Sequence, residues 1–183
     1  MPNYVYNKLT ITGPNKSLKK FIKLVQTDKT NFDFNKILPM PSILDQTSFP
    51  VRERNQKLIN KYGFDNWYEW RLHNWGVKWD ASDASEWEKE LPTEMRITYT
   101  TAWSCAEGIL KNASKQFPDI LFRNTFVDEP YENIGFIIYE NDELIKTTTY
   151  NIKSNKAKGI FNDVGLDYPE SEEDTEPVKK SKK

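Results

Sequence analysis

The sequence predicts a single α+β domain with an antiparallel sheet and its helices laid on one face. Three observations carry this. Apolar and polar residues alternate over 4–11 and again over 95–101, the period of a half-buried strand. Each of these stretches is followed by an amphipathic helix pattern. Leu18, Phe21, Ile22 and Val25 recur at i, i+3, i+4 and i+7, and Ala106, Ile109, Leu110, Ala113 and Phe117 do much the same. The order strand–helix–strand is thus written twice along the chain.

In the first strand Val5, Leu9 and Ile11 share one face, with Tyr4, Tyr6, Lys8 and Thr10 on the other; Gly13-Pro14-Asn15 breaks it. The helix over 17–26 turns Lys16, Lys19, Lys20 and Lys23 away from its apolar stripe. Residues 32–41 are apolar but punctuated, and Pro39 and Pro41 push their neighbours to extended geometry, so an extended segment is predicted there, leading into a loop to about 50. A polar helix over 51–62 ends at Gly63, with Leu58 and Ile59 inward. A second helix over 65–74, with Asp65 as N-cap, carries Trp67, Tyr68, Trp70, Arg71 and Leu72. Rings cover more than half of its circumference, which predicts a helix sandwiched between layers. Gly76 stops it, and 77–81 reads as a short strand. Further strands follow at 120–126, 134–139 and 144–151, the last two joined by Asn141-Asp142 as a hairpin. That order is the split βαβ, or ferredoxin-like, arrangement. It carries an inserted aromatic helical layer at about 51–76 and an extra C-terminal β-hairpin. The domain spans 1–160, and 161–183 reads as a disordered charged tail.

Composition limits the function classes. Of 183 residues 29% are charged, the net charge is −1, and 14% are aromatic. Seven of the 27 acids and four of the 26 bases fall from Asp163 onward, so the remainder is near neutral and has no global pull on nucleic acid. The single cysteine, Cys105, excludes an internal disulfide and a cysteine-cluster metal site. There is no signal-peptide pattern and no run of 18 apolar residues, so the expected setting is cytoplasmic, with no membrane partner. No phosphate-cradling glycine loop and no zinc motif are present; cofactor and metal are both predicted to be none.

Four segments in order carry a family resemblance. They are Met1-Pro2-Asn3 with Asn7-Lys8-Leu9-Thr10, residues 32–41, Asn74-Trp75-Gly76-Val77-Lys78-Trp79-Asp80-Ala81, and Thr101-Ala102-Trp103-Ser104. Together they resemble the YubB-type ferredoxin-like domain family of phages, plasmids and prophages, over roughly residues 1–140. "Ferredoxin-like" names the fold; one cysteine cannot hold an iron–sulfur centre. Cys105-Ala106 departs from the prolines common in the family after the serine. The resemblance implies a mobile genetic element in a bacterial host and no particular chemistry.

The densest candidate stretch is 67–80, with four of the six tryptophans and the only histidine. Its tryptophans, Trp67, Trp70, Trp75 and Trp79, read first as core mass and second as a stacking surface. The functional share falls on Glu69, Arg71, His73, Trp75, Lys78, Trp79 and Asp80. His73 lies four residues after Glu69 on one helix face, near Asp80, and an exposed charged pair is the commoner reading of that spacing than acid–base chemistry. Ser104 and Glu107 fit a capping box, against which a nucleophilic Cys105 at a helix N-terminus is the sharper alternative. The leading function is a non-enzymatic binding protein contacting a host protein or nucleoprotein, in counter-defence. Next come nucleic-acid binding through the sheet aromatics Tyr4, Tyr6 and Tyr99 with the lysine helix, and then an enzyme built on His73, Glu69 and Asp80. The last hairpin, with Ile145, Thr147, Thr149 and Ile152, offers an edge for a second copy, so monomer and homodimer both stay open.

Overall fold

The computed structural model describes residues 3–169. The chain begins with β1 (Tyr4–Thr12) and α1 (Asn15–Val25), followed by the one-turn helices α2 (Phe34–Ile37) and α3 (Ser42–Asp45). Next come α4 (Gln56–Tyr62), α5 (Trp67–Asn74), β2 (Glu88–Leu91), β3 (Glu94–Ala102), α6 (Glu107–Gln116) and β4 (Leu121–Asp128). The chain continues through β5 (Ile134–Glu140), β6 (Glu143–Tyr150) and α7 (Asn155–Val164). Among the described residues the strands form one six-stranded sheet in the order β2-β3-β1-β4-β5-β6, every pairing antiparallel. The first four strands of that list, with α1 and α6, are the ferredoxin-like unit: β1–α1–β2–β3–α6–β4 with β1 flanked by β3 and β4. The β5–β6 hairpin extends it. Its turn residues Asn141 and Asp142 take φ of 48° and 67°, the left-handed pair of a tight hairpin turn.

The core lies between the sheet and the α1–α6 layer. Leu18, Phe21 and Val25 of α1 and Ile109, Leu110 and Ala113 of α6 are buried against Val5, Leu9, Ile11, Ile97, Phe122 and Ile137. Phe21 stands at its centre, meeting Phe32, Trp87, Phe117 and Phe122 edge-on with ring centroids 5.1–6.5 Å apart. Edge-on aromatic contacts of this kind fill the space between the aliphatic side chains of the sheet and the helices.

Several elements differ from the sequence reading. The second strand of the unit is β2, not 77–81, whose neighbourhood gives only a bridge between Ser82 and Thr100. β2 is all exposed and reads Glu-Lys-Glu-Leu, so no alternation marks it. Pairing with β3 holds it, and Arg96 reaches Glu88 at 3.0 Å and Glu90 at 2.8 Å. Within residues 32–41 the extended course is broken by one helical turn, Phe34–Ile37, which Asp33 caps by accepting from the Asn35 N–H at 2.9 Å; Asp33 itself is extended. Helix α4 starts only at Gln56, where Asn55 accepts the N–H groups of Lys57 and Leu58. Opposite the expected pair, α7 covers part of the other sheet face, burying Ala157, Ile160, Phe161 and Val164 against Val127, Ile134 and Phe136. The stretch read as tail from 161 therefore starts within this helix, and Leu166 and Tyr168 beyond it still pack on the same cluster; its part from 170 to 183 lies outside the described residues.

Candidate functional site

The stretch 67–80 divides by burial. Trp75 is fully buried and Trp70 nearly so, while Trp67 is half-buried and Trp79 is 38% exposed. Trp75 donates its indole N–H to the Leu38 carbonyl at 2.9 Å and meets the rings of Phe34 and Trp70 edge-on, each at 6.0 Å. Asp80 accepts the N–H of Phe34 at 2.9 Å and of Ala81 at 2.8 Å. Burial pushes its carboxyl up to about 6, against the pull of those two N–H donors; the charge of Asp33 adds to the rise and that of Arg71 opposes it. Arg71 lies 4.9 Å from the Trp75 ring centre and 5.3 Å from that of Trp67, and bonds Asp45 at 3.1 Å. Asp80, Trp75 and Arg71 thus fasten α5 and its exit loop to α2 and α3. The helix itself buries only Trp70 and keeps an outward side with an exposed His73, so it is not sandwiched.

The carboxylate–histidine group is not assembled. Arg54 takes Glu69 with both terminal nitrogens, at 2.6 and 2.8 Å, and reaches Asp65 at 2.8 Å. Glu69 is held below the ordinary carboxylate range by Arg54. Asp65 is buried; burial opposes its ionisation, but hydrogen bonds from the Asn55 N–H, Asn66 and Arg54 outweigh it and hold it low. The N-cap of α5 is therefore Asn66, which accepts the Glu69 N–H, while Asp65 serves as the anchor for Arg54. His73 leans on Phe64 with ring centres 5.0 Å apart, and among the described residues no hydrogen bond or ion pair joins it to Glu69 or Asp80.

The turn between β3 and α6 carries neither a capping box nor an activated thiol. Ala106 is the N-cap, at φ 42°, and Ser104 instead donates to the Gly76 carbonyl at 2.6 Å. Glu107 accepts the hydroxyl of Tyr139. Burial, aided by the Glu107 charge, pushes the Cys105 thiol up to about 12, so it stays protonated at neutral pH. The sheet aromatics are also engaged. Tyr99 faces the core and donates to Asn124, which donates to Asn7, which donates to Thr101, each at 2.9 Å. Tyr6 packs against the α7 cluster. Of the three predicted stacking rings only Tyr4, 38% exposed, remains at the surface.

Exposed rings collect elsewhere. Lys78 places its ammonium 4.4 Å from the ring centre of Trp79, 5.4 Å from Trp103 and 5.9 Å from Tyr68. Tyr68 stacks on Phe49 at 4.0 Å and meets Trp103 edge-on at 6.3 Å. Phe49 is 43% and Trp103 44% exposed. Lys78 makes no ion pair among the described residues. Trp103 holds φ at 72°, a conformation that a bulky residue pays for with about 1–3 kcal/mol, and its N–H is tied to the Asn3 carbonyl at 2.9 Å. Only Lys78 and Trp79 of this patch were legible as site residues in the sequence. Tyr68 sits within the aromatic run, but its partners Phe49 and Trp103 lie far off along the chain, and only the Trp103 motif hinted at more than packing.

A family model described as the ferredoxin-like domain in Api92-like protein matches residues 74–175, more than half of the chain. The crystal structure of protein api92 from Yersinia pseudotuberculosis is similar with a TM-score of 0.50 at 9% identity, over 82% of this chain and 98% of that one. At such identity the likeness speaks for the fold alone. No curated protein matches the sequence.

Proposed function

Since the chain belongs to the family of ferredoxin-like domains in Api92-like proteins, we propose that it is a non-enzymatic binding protein whose recognition surface is the patch formed by Phe49, Tyr68, Lys78, Trp79 and Trp103. The observation that carries this reading is Trp103. Its ring is exposed, and its backbone is held in an unfavourable conformation beside a lysine with no ion-pair partner among the described residues. Strain of this sort persists where the surrounding structure over-determines it and concentrates at functional sites. Exposed aromatics with a cation are also the residue types that anchor protein interfaces.

The finer reading adds the setting. The four sequence segments resemble the YubB-type domains of mobile elements, which favours a host protein or nucleoprotein as the target, in counter-defence, within the host cytoplasm. Among the described residues no helix is long and apolar enough to cross a membrane. Affinity purification from the host with the native chain and a Trp79→Ala/Trp103→Ala variant tests the proposal. A partner retained by the native chain and lost by the equally stable variant supports it; equal retention by both removes the patch from the reading.

Nucleic-acid binding stays as the second reading because Lys16, Lys19, Lys20 and Lys23 are exposed on α1 without ion-pair partners among the described residues. It no longer has Tyr99 or Tyr6 to stack a base. Retention on a nucleic-acid column that falls steeply with salt would favour it.

A further inference from the structure

A groove runs between α1 and the β2–β3 edge of the sheet, sharing no residue with the aromatic patch. It consists of two adjoining hollows of about 420 and 160 Å³, which have Lys19, Ile22 and Met95 in common. The floor is aliphatic, formed by Ile22 and Met95 with Leu18 and Pro92 at one end. Lys19 and Lys23 rise from the helix side and Lys89 from β2; all three are exposed, and none makes an ion pair among the described residues. From these features we infer that the groove docks an acidic segment of a partner protein that carries aliphatic side chains.

Each feature selects the occupant. Three uncompensated ammonium groups around one trough call for anionic groups, and an alkyl-lined floor calls for alkyl side chains between them. A nucleic-acid strand fits less well. The one ring in the trough, Trp87, meets Phe21 and Phe32 edge-on at 6.0 and 6.1 Å and spends its N–H on the Asn31 carbonyl, so it is part of the core and no stacking platform. Glu86 also lines the mouth and repels any anion there. The occupant's acids must therefore be spaced to face the lysines and leave an uncharged side chain beside Glu86, a spacing that a peptide can supply and a phosphate backbone cannot. The charges present are lysines, which suit scattered carboxylates and lack the planar fork that arginine offers to phosphate.

The experiment titrates the full chain with a short fluorescein-labelled peptide of glutamates with leucine at every third position. The comparison probes are an all-glutamate peptide of equal length and labelled oligo(dT). The leucine-containing peptide should bind, shift the amide and methyl resonances of Ile22 and Met95, and weaken at least about tenfold in Lys19→Glu/Lys23→Glu, whose exposed positions leave the fold intact. The all-glutamate peptide should bind at least about tenfold more weakly, because the floor then contributes nothing. Equal affinity for both peptides, or no binding, overturns the proposal. Oligo(dT) displacing the peptide through the same lysines assigns the groove to nucleic acid and overturns it too. So does a tenfold gain in peptide affinity on removal of residues 170–183, which would make the acidic stretch of this chain the occupant.

Discussion

The carboxylate of Asp80 accepts the backbone N–H of Phe34 at 2.9 Å, 46 positions away along the chain. This bond joins two of the segments that carry the family resemblance, and the Trp75–Leu38 hydrogen bond joins them again. Those motifs are therefore halves of one packed unit.

Asp80 makes stability depend on pH in a defined direction. Its folded carboxyl is raised to about 6 from 3.8, so its contribution is intact below about 4 and is lost as pH rises through 6. Asp80→Asn keeps an oxygen for the Phe34 and Ala81 N–H groups without the buried charge. In denaturant titrations it should match the native chain near pH 4 and exceed it by on the order of 2–3 kcal/mol at pH 8. Asp80→Ala, which orphans both donors, should lose about 1–3 kcal/mol even at low pH. A pH-independent gap between the native chain and Asp80→Asn would refute this assignment.

Gly108 fixes how close α6 comes to the end of α5. A Cβ there would lie 2.0 Å from the Asn74 carbonyl oxygen and 3.2 Å from the Trp75 carbonyl carbon, both backbone atoms. Gly108→Ala should cost about 3 kcal/mol or more in thermal unfolding. Gly159→Ala meets nothing within 4 Å inside α7 and should raise stability by about 0.5–1 kcal/mol.

The legible parts of the fold were those with a period. Alternation at Val5, Leu9 and Ile11, and helical spacing at Leu18, Phe21 and Val25, follow from burying one face, and the structure buries these residues. β2 was hidden because its residues are all exposed, and pairing with β3 alone makes it a strand. α7 was hidden because its apolar residues stand beside an acidic tail that dominates the local composition. The site was half legible for a similar reason. A run of rings can be seen in sequence, but whether each ring faces core or solvent depends on partners such as Phe34, Leu38 and Phe49, brought up by the fold.

Phe161 tests the domain boundary. It is fully buried and meets Tyr131 and Tyr168 edge-on at 5.1 and 5.3 Å. Phe161→Ala should lower stability by about 3–5 kcal/mol in chemical denaturation. A loss below 1 kcal/mol would mean that α7 adds little to the domain.

Arg54 stabilises through two carboxylates whose folded values are lowered, so its contribution is present above their unfolded values of 3.8 and 4.5 and is lost as pH falls below them. Arg54→Met leaves Asp65 buried with only the Asn55 and Asn66 donors. The variant should melt lower at pH 7 and lose less than the native chain on going to pH 3. Parallel melting curves across that range would show the ion pairs to be stability-neutral.

The tryptophans separate core from surface most directly. Trp75 has no exposed area and a satisfied indole N–H, so Trp75→Ala should remove about 3–5 kcal/mol. Trp79 and Trp103 are 38% and 44% exposed, and truncating either to alanine should cost less than about 1 kcal/mol. Trp103→Gly goes further: glycine takes φ of 72° without strain, which should leave the melting temperature unchanged or raise it although a large ring is gone. A residue whose removal stabilises the fold is held there for a reason outside the fold, which is why this variant bears on function. If Trp103→Gly instead unfolds the chain, the ring belongs to the core and the proposed surface loses its centre.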